Sequence, residues 1–198
     1  MNKEIERKFA VKYLPKDLKI ESIVYIKQAF IYRDKLTHIR IRNIKEIYPE
    51  NRQTYIYTVK TKGDIEYTNK YDIGRKYEIE NEISNEEFEK LIKNKISNII
   101  EKTRVKIPIE NNLKAEMDIY YDYLEGFLTI EVEFLNEEIA NNFQKPDWFG
   151  EELGYKTLSN GKLSQMTKEE WQEKVTKEFI ENNKIIINQF KENYNFKI

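Results

Sequence analysis

The stretch Glu4-Ile5-Glu6-Arg7-Lys8-Phe9, EIERKF, places a charged residue at every second position near the start of the chain. Successive side chains of a β-strand point to opposite faces, so Glu4, Glu6 and Lys8 share one face of a predicted strand. Because most residues between such positions along the chain are apolar, burial of the apolar face leaves a second, charged face. The same period of two recurs at Arg40 and Arg42; Lys60 and Lys62; Glu78, Glu80 and Glu82; Lys102, Arg104 and Lys106; Glu116 and Asp118; and Glu131 and Glu133.

A solvated sheet face produces the same alternation, because many antiparallel sheets turn one face to water. Any one of these sets alone fits that simpler interpretation. Runs of a single sign, such as Lys102, Arg104 and Lys106, instead require partners of opposite charge. A highly charged ligand together with a metal ion supplies partners for both signs.

Composition narrows the classes of protein. The 198 residues fit one domain, and 34 basic residues nearly balance 35 acidic ones, so we expect no nucleic-acid partner. The absence of cysteine excludes disulfides and thiolate chemistry and is typical of a reducing cytoplasm. No signal segment and no apolar run of membrane-spanning length is present, so we expect a cytoplasmic protein without a membrane partner. The oligomeric state is left open, a homodimer included.

The alternation predicts an antiparallel sheet with helices on its apolar side. Ser84 and Glu87 form a predicted capping box that opens a helix containing Phe88. Beyond about residue 167, apolar residues mostly four apart predict one or two amphipathic helices. Strands are predicted at about 3–11, 23–33, 36–45, 53–61, 73–82, 102–109, 113–123 and 126–135.

Eight antiparallel strands can close into a barrel that holds side chains or one small ligand. We therefore expect an α+β, mainly β fold: an eight-stranded antiparallel closed β-barrel with helices packed outside. Residues 1–165 would form the barrel domain, and residues 166–198 a C-terminal helical extension packed on it.

The charged sets occur in the order that is typical of one known family. EIERKF matches an E-x-E-x-K signature. The other elements of the family pattern follow in order at the positions given above: R-x-R, Lys60, E-x-E, K-x-R, Asp118 and a closing E-x-E. Asp147-Trp148-Phe149-Gly150 and Ser159-Asn160 match the segment after the strands. Over about residues 1–165 the chain resembles the CYTH or triphosphate tunnel metalloenzyme family, which includes class IV adenylate cyclases and thiamine triphosphatase-like proteins.

Two positions depart from the family pattern. The frequent Q-x-Y of the second strand reads Gln28-Ala29-Phe30, so a phenolic hydroxyl is missing unless Tyr32 replaces it. An aromatic residue often precedes Ser-Asn in the terminal segment, and here that residue is Leu158. Both departures concern substrate preference more than fold.

The resemblance implies metal-dependent hydrolysis of inorganic triphosphate by a metal-activated water inside a charged barrel tunnel. Alternatives on the same fold are a class IV-type adenylate cyclase and a nucleoside or thiamine triphosphatase. A non-catalytic polyphosphate-binding module is a further alternative, although so many retained carboxylates disfavour it. The implied partner is a triphosphate-containing small molecule.

The resemblance also implies roles for single residues. Arg and Lys would bind phosphate oxygens, and carboxylates, which repel a bare polyanion, would hold Mg²⁺ or Mn²⁺. Lys62, Lys106 and His38 are weaker candidates near strand ends. Expected substrate-binding residues are Lys8, Arg40, Arg42, Lys60, Lys102 and Arg104; expected catalytic residues are Glu4, Glu6, Lys8, Glu78, Glu80, Glu131 and Glu133; expected metal ligands are Glu4, Glu6, Asp118, Glu131 and Glu133.

Overall fold

The strands of the protein form one antiparallel sheet. The computed structural model describes residues 2–62, 76–153 and 158–194, without the side chains of residues 2–4, 62 and 76. The order of strands across the sheet is β5-β4-β3-β2-β6-β7-β8-β1-β9. The strands are β1 (Asn2–Val11), β2 (Ser22–Arg33), β3 (Thr37–Tyr48), β4 (Gln53–Lys62), β5 (Lys76–Ile83), β6 (Ile100–Pro108), β7 (Lys114–Tyr120), β8 (Leu128–Phe134) and β9 (Phe149–Glu152).

The predicted eight-stranded closed barrel is wrong, because the structure is a nine-stranded antiparallel sheet. Strand β1 pairs with three others: with β8 over residues 5–10, with β9 at Phe9 and Val11, and with β5 over residues 2–4. Alternation of charge reports the face on which a side chain lies, but not how many partners a strand has. The four residues of β9 carry no alternating charge, so the sequence gives no sign of that strand.

The predicted positions of the first eight strands agree with those observed to within a few residues. Their register brings the charged positions together on one face. Lys60 lies directly opposite Glu78 on β5 and His38 on β3, and Arg104 lies opposite Asp118 on β7. Charged residues that alternate along each strand thus also lie beside charged residues of the neighbouring strands.

Helices pack against the sheet. They are α1 (Asn85–Ile92), α2 (Glu137–Asn142), α3 (Asn160–Leu163), α4 (Lys168–Gln172) and α5 (Lys177–Tyr194). The capping box of α1 is confirmed: Glu87 N donates to Ser84 Oγ, and Ser84 N donates to the Glu87 carboxylate. Phe88 of this helix is buried against Ala29 and Ile41. Within the described residues, no helix is long and apolar enough to span a membrane.

The C-terminal helices belong to the core of the sheet. Ile186, Ile187 and Phe190 of α5 are buried in one cluster with Ile5 and Phe9 of β1. A second cluster joins α4 and the start of α5 to β6 and β7 through Trp171, Ile180, Ile100 and Tyr120. The predicted division of the chain at residues 165 and 166 remains a prediction.

Candidate active site

Arg104 lies at the centre of the charged face on β6. Its Nε and Nη2 atoms donate to the two carboxylate oxygens of Asp118, both over 2.7 Å. Nη2 also donates to Glu131 over 2.6 Å, and Nη1 donates to Glu116. Burial alone would lower the pKa of Arg104, but Asp118 and Glu116 raise it well above its ordinary value. One guanidinium therefore links carboxylates of β7 and β8.

Lys102 and Asp118 form a buried ion pair beside Arg104. Asp118 is 0% exposed and Lys102 is 2% exposed, and the lysine donates to the carboxylate. Burial, followed by repulsion from Arg104, lowers the pKa of Lys102 to about 8 despite the attraction of Asp118. The Lys102 ammonium lies 5.5 Å from the centre of the Tyr120 ring, and the Tyr120 hydroxyl donates to Asn160 Oδ1 over 2.7 Å.

Lys8 connects the start of the chain to this cluster. Its ammonium lies 2.9 Å from a Glu131 oxygen and donates to the Leu158 carbonyl over 3.3 Å. Burial would raise the pKa of Glu131, but Lys8 and Arg104 hold it well below its usual range. Glu131 thus stays ionised on the charged face.

A second group of charges lies across β3, β4 and β5. Glu78 accepts a hydrogen bond of 3.1 Å from Arg40 and lies 3.0 Å from the Lys60 ammonium. Arg42 and Thr58 both donate to Glu80. Burial and repulsion from Arg40 lower the pKa of Arg42 to about 9, against the attraction of Glu80. Strand β2 separates this group from the Arg104 group in the sheet.

The register also places carboxylates directly opposite one another. Glu6 on β1 faces Glu133 on β8, and Glu116 on β7 faces Glu131 on β8. Like charges in such positions destabilise a sheet unless a cation lies between them, and Arg104 is that cation for Glu116 and Glu131. Among the described side chains, which do not include Glu4, no three acidic or histidine residues are grouped as a metal site. Mg²⁺ commonly uses only one or two carboxylates with water and substrate oxygens, so these carboxylates fit such an ion.

The structure separates the weaker candidates from the rest. Lys106 is half-buried 3.2 Å from Glu116, and the ring of His38 packs edge-on against Phe30 with ring centres 5.6 Å apart. The side chains of Glu4 and Lys62 lie outside the described part of the chain. Asp118, predicted as a metal ligand, lies between Lys102 and Arg104. The roles assigned to all these residues remain predictions.

Four further polar residues of this face are not among the site residues expected from the sequence. Gln28, Thr58, Tyr120 and Thr129 lie opposite Arg42, Arg40, Lys102 and Asp118. Parity identifies three of them, because Thr58, Tyr120 and Thr129 each lie two residues from a charged position on their own strand. Gln28 lies on a strand with no regular charge alternation. The Q-x-Y pattern includes it, but the sheet register is what places it on the charged face opposite Arg42.

Tyr32 does not replace the missing phenol at Phe30. Phe30 is buried on the charged face opposite Arg40. The register of β2 shifts between Phe30 and Tyr32, and Tyr32 is 46% exposed and donates to Asp34 over 2.8 Å. The charged face therefore has no phenolic hydroxyl from Phe30 or Tyr32 at the position of the tyrosine in the Q-x-Y pattern.

Comparison with known proteins extends the likeness beyond the charged motifs. An inorganic triphosphatase of Nitrosomonas europaea is 28% identical over 150 residues, which are 76% of this chain and 88% of that protein. The crystal structure of the inorganic triphosphatase NE1496 gives a TM-score of 0.56 at 28% identity, over 84% of this chain and 97% of that one. The resemblance to the CYTH family is confirmed. A crystal structure of the hypothetical protein NE1496 gives a TM-score of 0.55 at 28% identity, over 83% and 99% of the two chains. No protein-family model matches the chain, so the CYTH resemblance is supported by these similar proteins and by the charged motifs.

Proposed function

We propose that this protein hydrolyses inorganic triphosphate on the charged face of its sheet. The observation that carries the proposal is the cluster of Lys and Arg side chains on this face, in a chain similar to an inorganic triphosphatase over most of its length. Several of these cations are almost fully buried, and each of them is paired with a carboxylate of the same face. A triphosphate spreads several negative charges along a short chain and can take up such cations together.

The two groups of cations contact the substrate from both sides of β2. Arg40 and Arg42 offer planar guanidinium groups that match phosphate oxygens, and Lys60 adds a point charge. The group on the other side of β2 also combines guanidinium and ammonium groups, from Arg104, Lys102 and Lys8. This arrangement lets a linear triphosphate lie across β2 with its ends in different groups.

We propose that the acidic residues Glu4, Glu6, Glu131 and Glu133 hold Mg²⁺ or Mn²⁺. Such an ion supplies a water of lowered pKa and offsets charge on the phosphates when it is bound. Asp118 is fully buried with both oxygens engaged by Arg104 and Lys102, so we assign it to holding these cations in place. Glu131 also pairs with Lys8 and Arg104, but it keeps 14% of its side chain exposed. Glu78 and Glu80 hold Arg40 and Arg42 in the same way.

The reaction breaks one phosphoric anhydride bond and consumes one water. The water oxygen joins the terminal phosphorus, the electron pair of the broken bond goes to the bridging oxygen, and the products are orthophosphate and pyrophosphate. Arg and Lys stabilise the charge that grows on the departing pyrophosphate. Several carboxylates lie close together on the face, so the proton of the water is assigned to this group of carboxylates and not to one residue.

The test is product analysis with tripolyphosphate, ATP and thiamine triphosphate, each with Mg²⁺, with Mn²⁺ and with EDTA. We expect release of orthophosphate, fastest from tripolyphosphate, and no release in EDTA. Formation of cyclic AMP from ATP would favour the adenylate cyclase alternative. Tight binding of tripolyphosphate without turnover under any condition would favour the binding module instead.

A further inference from the structure

Gln28 is the buried polar residue of β2 on the charged face. Its neighbours on the same side of the strand, Val24, Ile26 and Phe30, are apolar. Gln28 lies directly opposite Arg42 on β3 and Ile100 on β6. It therefore lies between the two groups of cations, where the strand itself supplies no charge.

The side-chain amide of Gln28 is a buried hydrogen-bond donor whose partner is not found within the described part of the chain. The residue is 1% exposed, and its Nε2 atom has no hydrogen-bond partner among the residues that the structure describes. The Nε atoms of Arg40 and Arg42 are buried and lack partners within the same described residues. A buried donor without a partner is destabilising, and natural proteins keep few of them.

These three donors lie at adjacent register positions, and all three lack the same kind of partner, which is a hydrogen-bond acceptor. Each is an N–H group, so a ligand with several oxygen lone pairs satisfies them and a metal ion does not. Phosphate oxygens of a polyphosphate meet this requirement, and Arg40 and Arg42 add the opposite charge. The neutral amide of Gln28 adds a contact without adding to the repulsion between the two groups of cations.

We propose that Gln28 is a further substrate-binding residue, which donates from Nε2 to a non-bridging oxygen of the triphosphate where the substrate crosses β2. The inference rests on the proposed function, since it takes triphosphate as the ligand. Gln28 would contact the part of the substrate that lies between Arg42 and Lys102. A shorter anion held by only one group of cations gains little from this contact.

The test compares Gln28→Leu with the wild-type protein by calorimetric titration of tripolyphosphate in EDTA, repeated with Mg²⁺, and by urea unfolding without ligand. A hydrogen bond to a charged group corresponds to a loss of affinity of about 10-fold to 100-fold when it is removed. The unfolding midpoint without ligand should stay equal or rise, because leucine removes a buried donor that has no partner. A residue needed only for folding would instead lower the midpoint.

Gln53→Leu is the matched control. Gln53 is an exposed glutamine of β4 whose Nε2 donates to Asn43 Oδ1 and the Tyr55 hydroxyl, and its replacement should leave tripolyphosphate affinity unchanged. Gln28→Glu is the second variant, because glutamate has nearly the same shape as glutamine. The new carboxylate should pair with Arg42 in the free protein, and the variant should bind tripolyphosphate still more weakly than Gln28→Leu does. It provides the affinity measurement if Gln28→Leu fails to fold.

Tripolyphosphate affinity equal to wild type in either variant overturns the assignment of Gln28 alone. A loss of affinity in Gln28→Leu that comes with a lowered unfolding midpoint also overturns it, because the residue is then structural. Failure of the wild-type protein to bind tripolyphosphate in EDTA and in Mg²⁺ would instead overturn the proposed function.

Discussion

Asp118 is the residue whose loss should affect the buried charges most. It is fully buried, and its oxygens accept hydrogen bonds from both Lys102 and Arg104. We expect Asp118→Asn to lower the free energy of unfolding by about 3–5 kcal/mol, because two buried cations lose their common counter-charge. Urea unfolding measures this, with Glu86→Gln as the control, since the Glu86–Lys90 pair of α1 is exposed. Added tripolyphosphate should restore part of the lost stability, and equal unfolding curves for Asp118→Asn and wild type would contradict the assignment.

Lys102 gives the triphosphate affinity a dependence on pH. Its pKa lies at about 8 in the free protein, lowered from an ordinary 10.5 mainly by burial. The ammonium loses its proton as the pH rises through 8, so affinity for tripolyphosphate should fall above that pH. Bound phosphate favours the charged lysine, so at pH 8.5 binding should take up protons through Lys102.

Calorimetry in two buffers of different ionisation enthalpy measures this proton uptake. Lys102→Arg is the matched variant, because the ordinary pKa of arginine is higher than that of lysine and arginine therefore keeps its proton to higher pH. Uptake should be smaller in the variant, and its affinity should fall less between pH 7 and pH 9. Identical buffer dependence of the two proteins would show that Lys102 is already charged without ligand.

At the scale of elements, the sequence predicts which face a residue occupies better than it predicts which strands meet. Parity places Arg40, Arg42 and Lys60 on the charged face, as the register confirms. Arg7 has the opposite parity, and the structure buries it on the apolar face, where it pairs with Glu152 of β9 and donates to the Ala140 carbonyl. The partner of Arg7 lies 145 residues away, so no local pattern predicts β9 or its pairing.

The helical tail provides a prediction at the same scale. Phe190 of α5 is 1% exposed and packs in the core cluster that contains Ile5 and Phe9 of β1. We expect Phe190→Ala to lower the free energy of unfolding by about 3–5 kcal/mol, through lost burial and a cavity. Turnover per folded molecule should not change, because the residue supports the apolar side of the sheet.

Urea unfolding and phosphate release from tripolyphosphate measure the two effects. Ile185→Ala is the control on the same helix, since Ile185 is 57% exposed. A folded Phe190→Ala protein with normal tripolyphosphate binding but little turnover would show that α5 contributes to the reaction.

At the scale of the whole molecule, folding and metal binding should be separable. The core cluster that contains Ile5, Phe9 and Phe190 consists of apolar residues between the sheet and its helices, on the side away from the charged face. EDTA should therefore leave the unfolding transition nearly unchanged while it abolishes hydrolysis of tripolyphosphate. Urea unfolding with EDTA and with excess Mg²⁺ checks this, and a large loss of stability in EDTA would show that an ion is part of the folded structure.

The ion pairs of the charged face also decide which anions the molecule accepts. An anion that binds the Nη atoms of Arg40 or Arg104 competes with a carboxylate that is already bound there, and a displaced carboxylate is left beside other acidic groups. Chloride or a single orthophosphate forms too few contacts to offset the new repulsion. If triphosphate is the substrate, as we propose, a chain of three phosphates should replace carboxylates in both groups of cations at once, and the resting ion pairs should then select anions by the length of their phosphate chain.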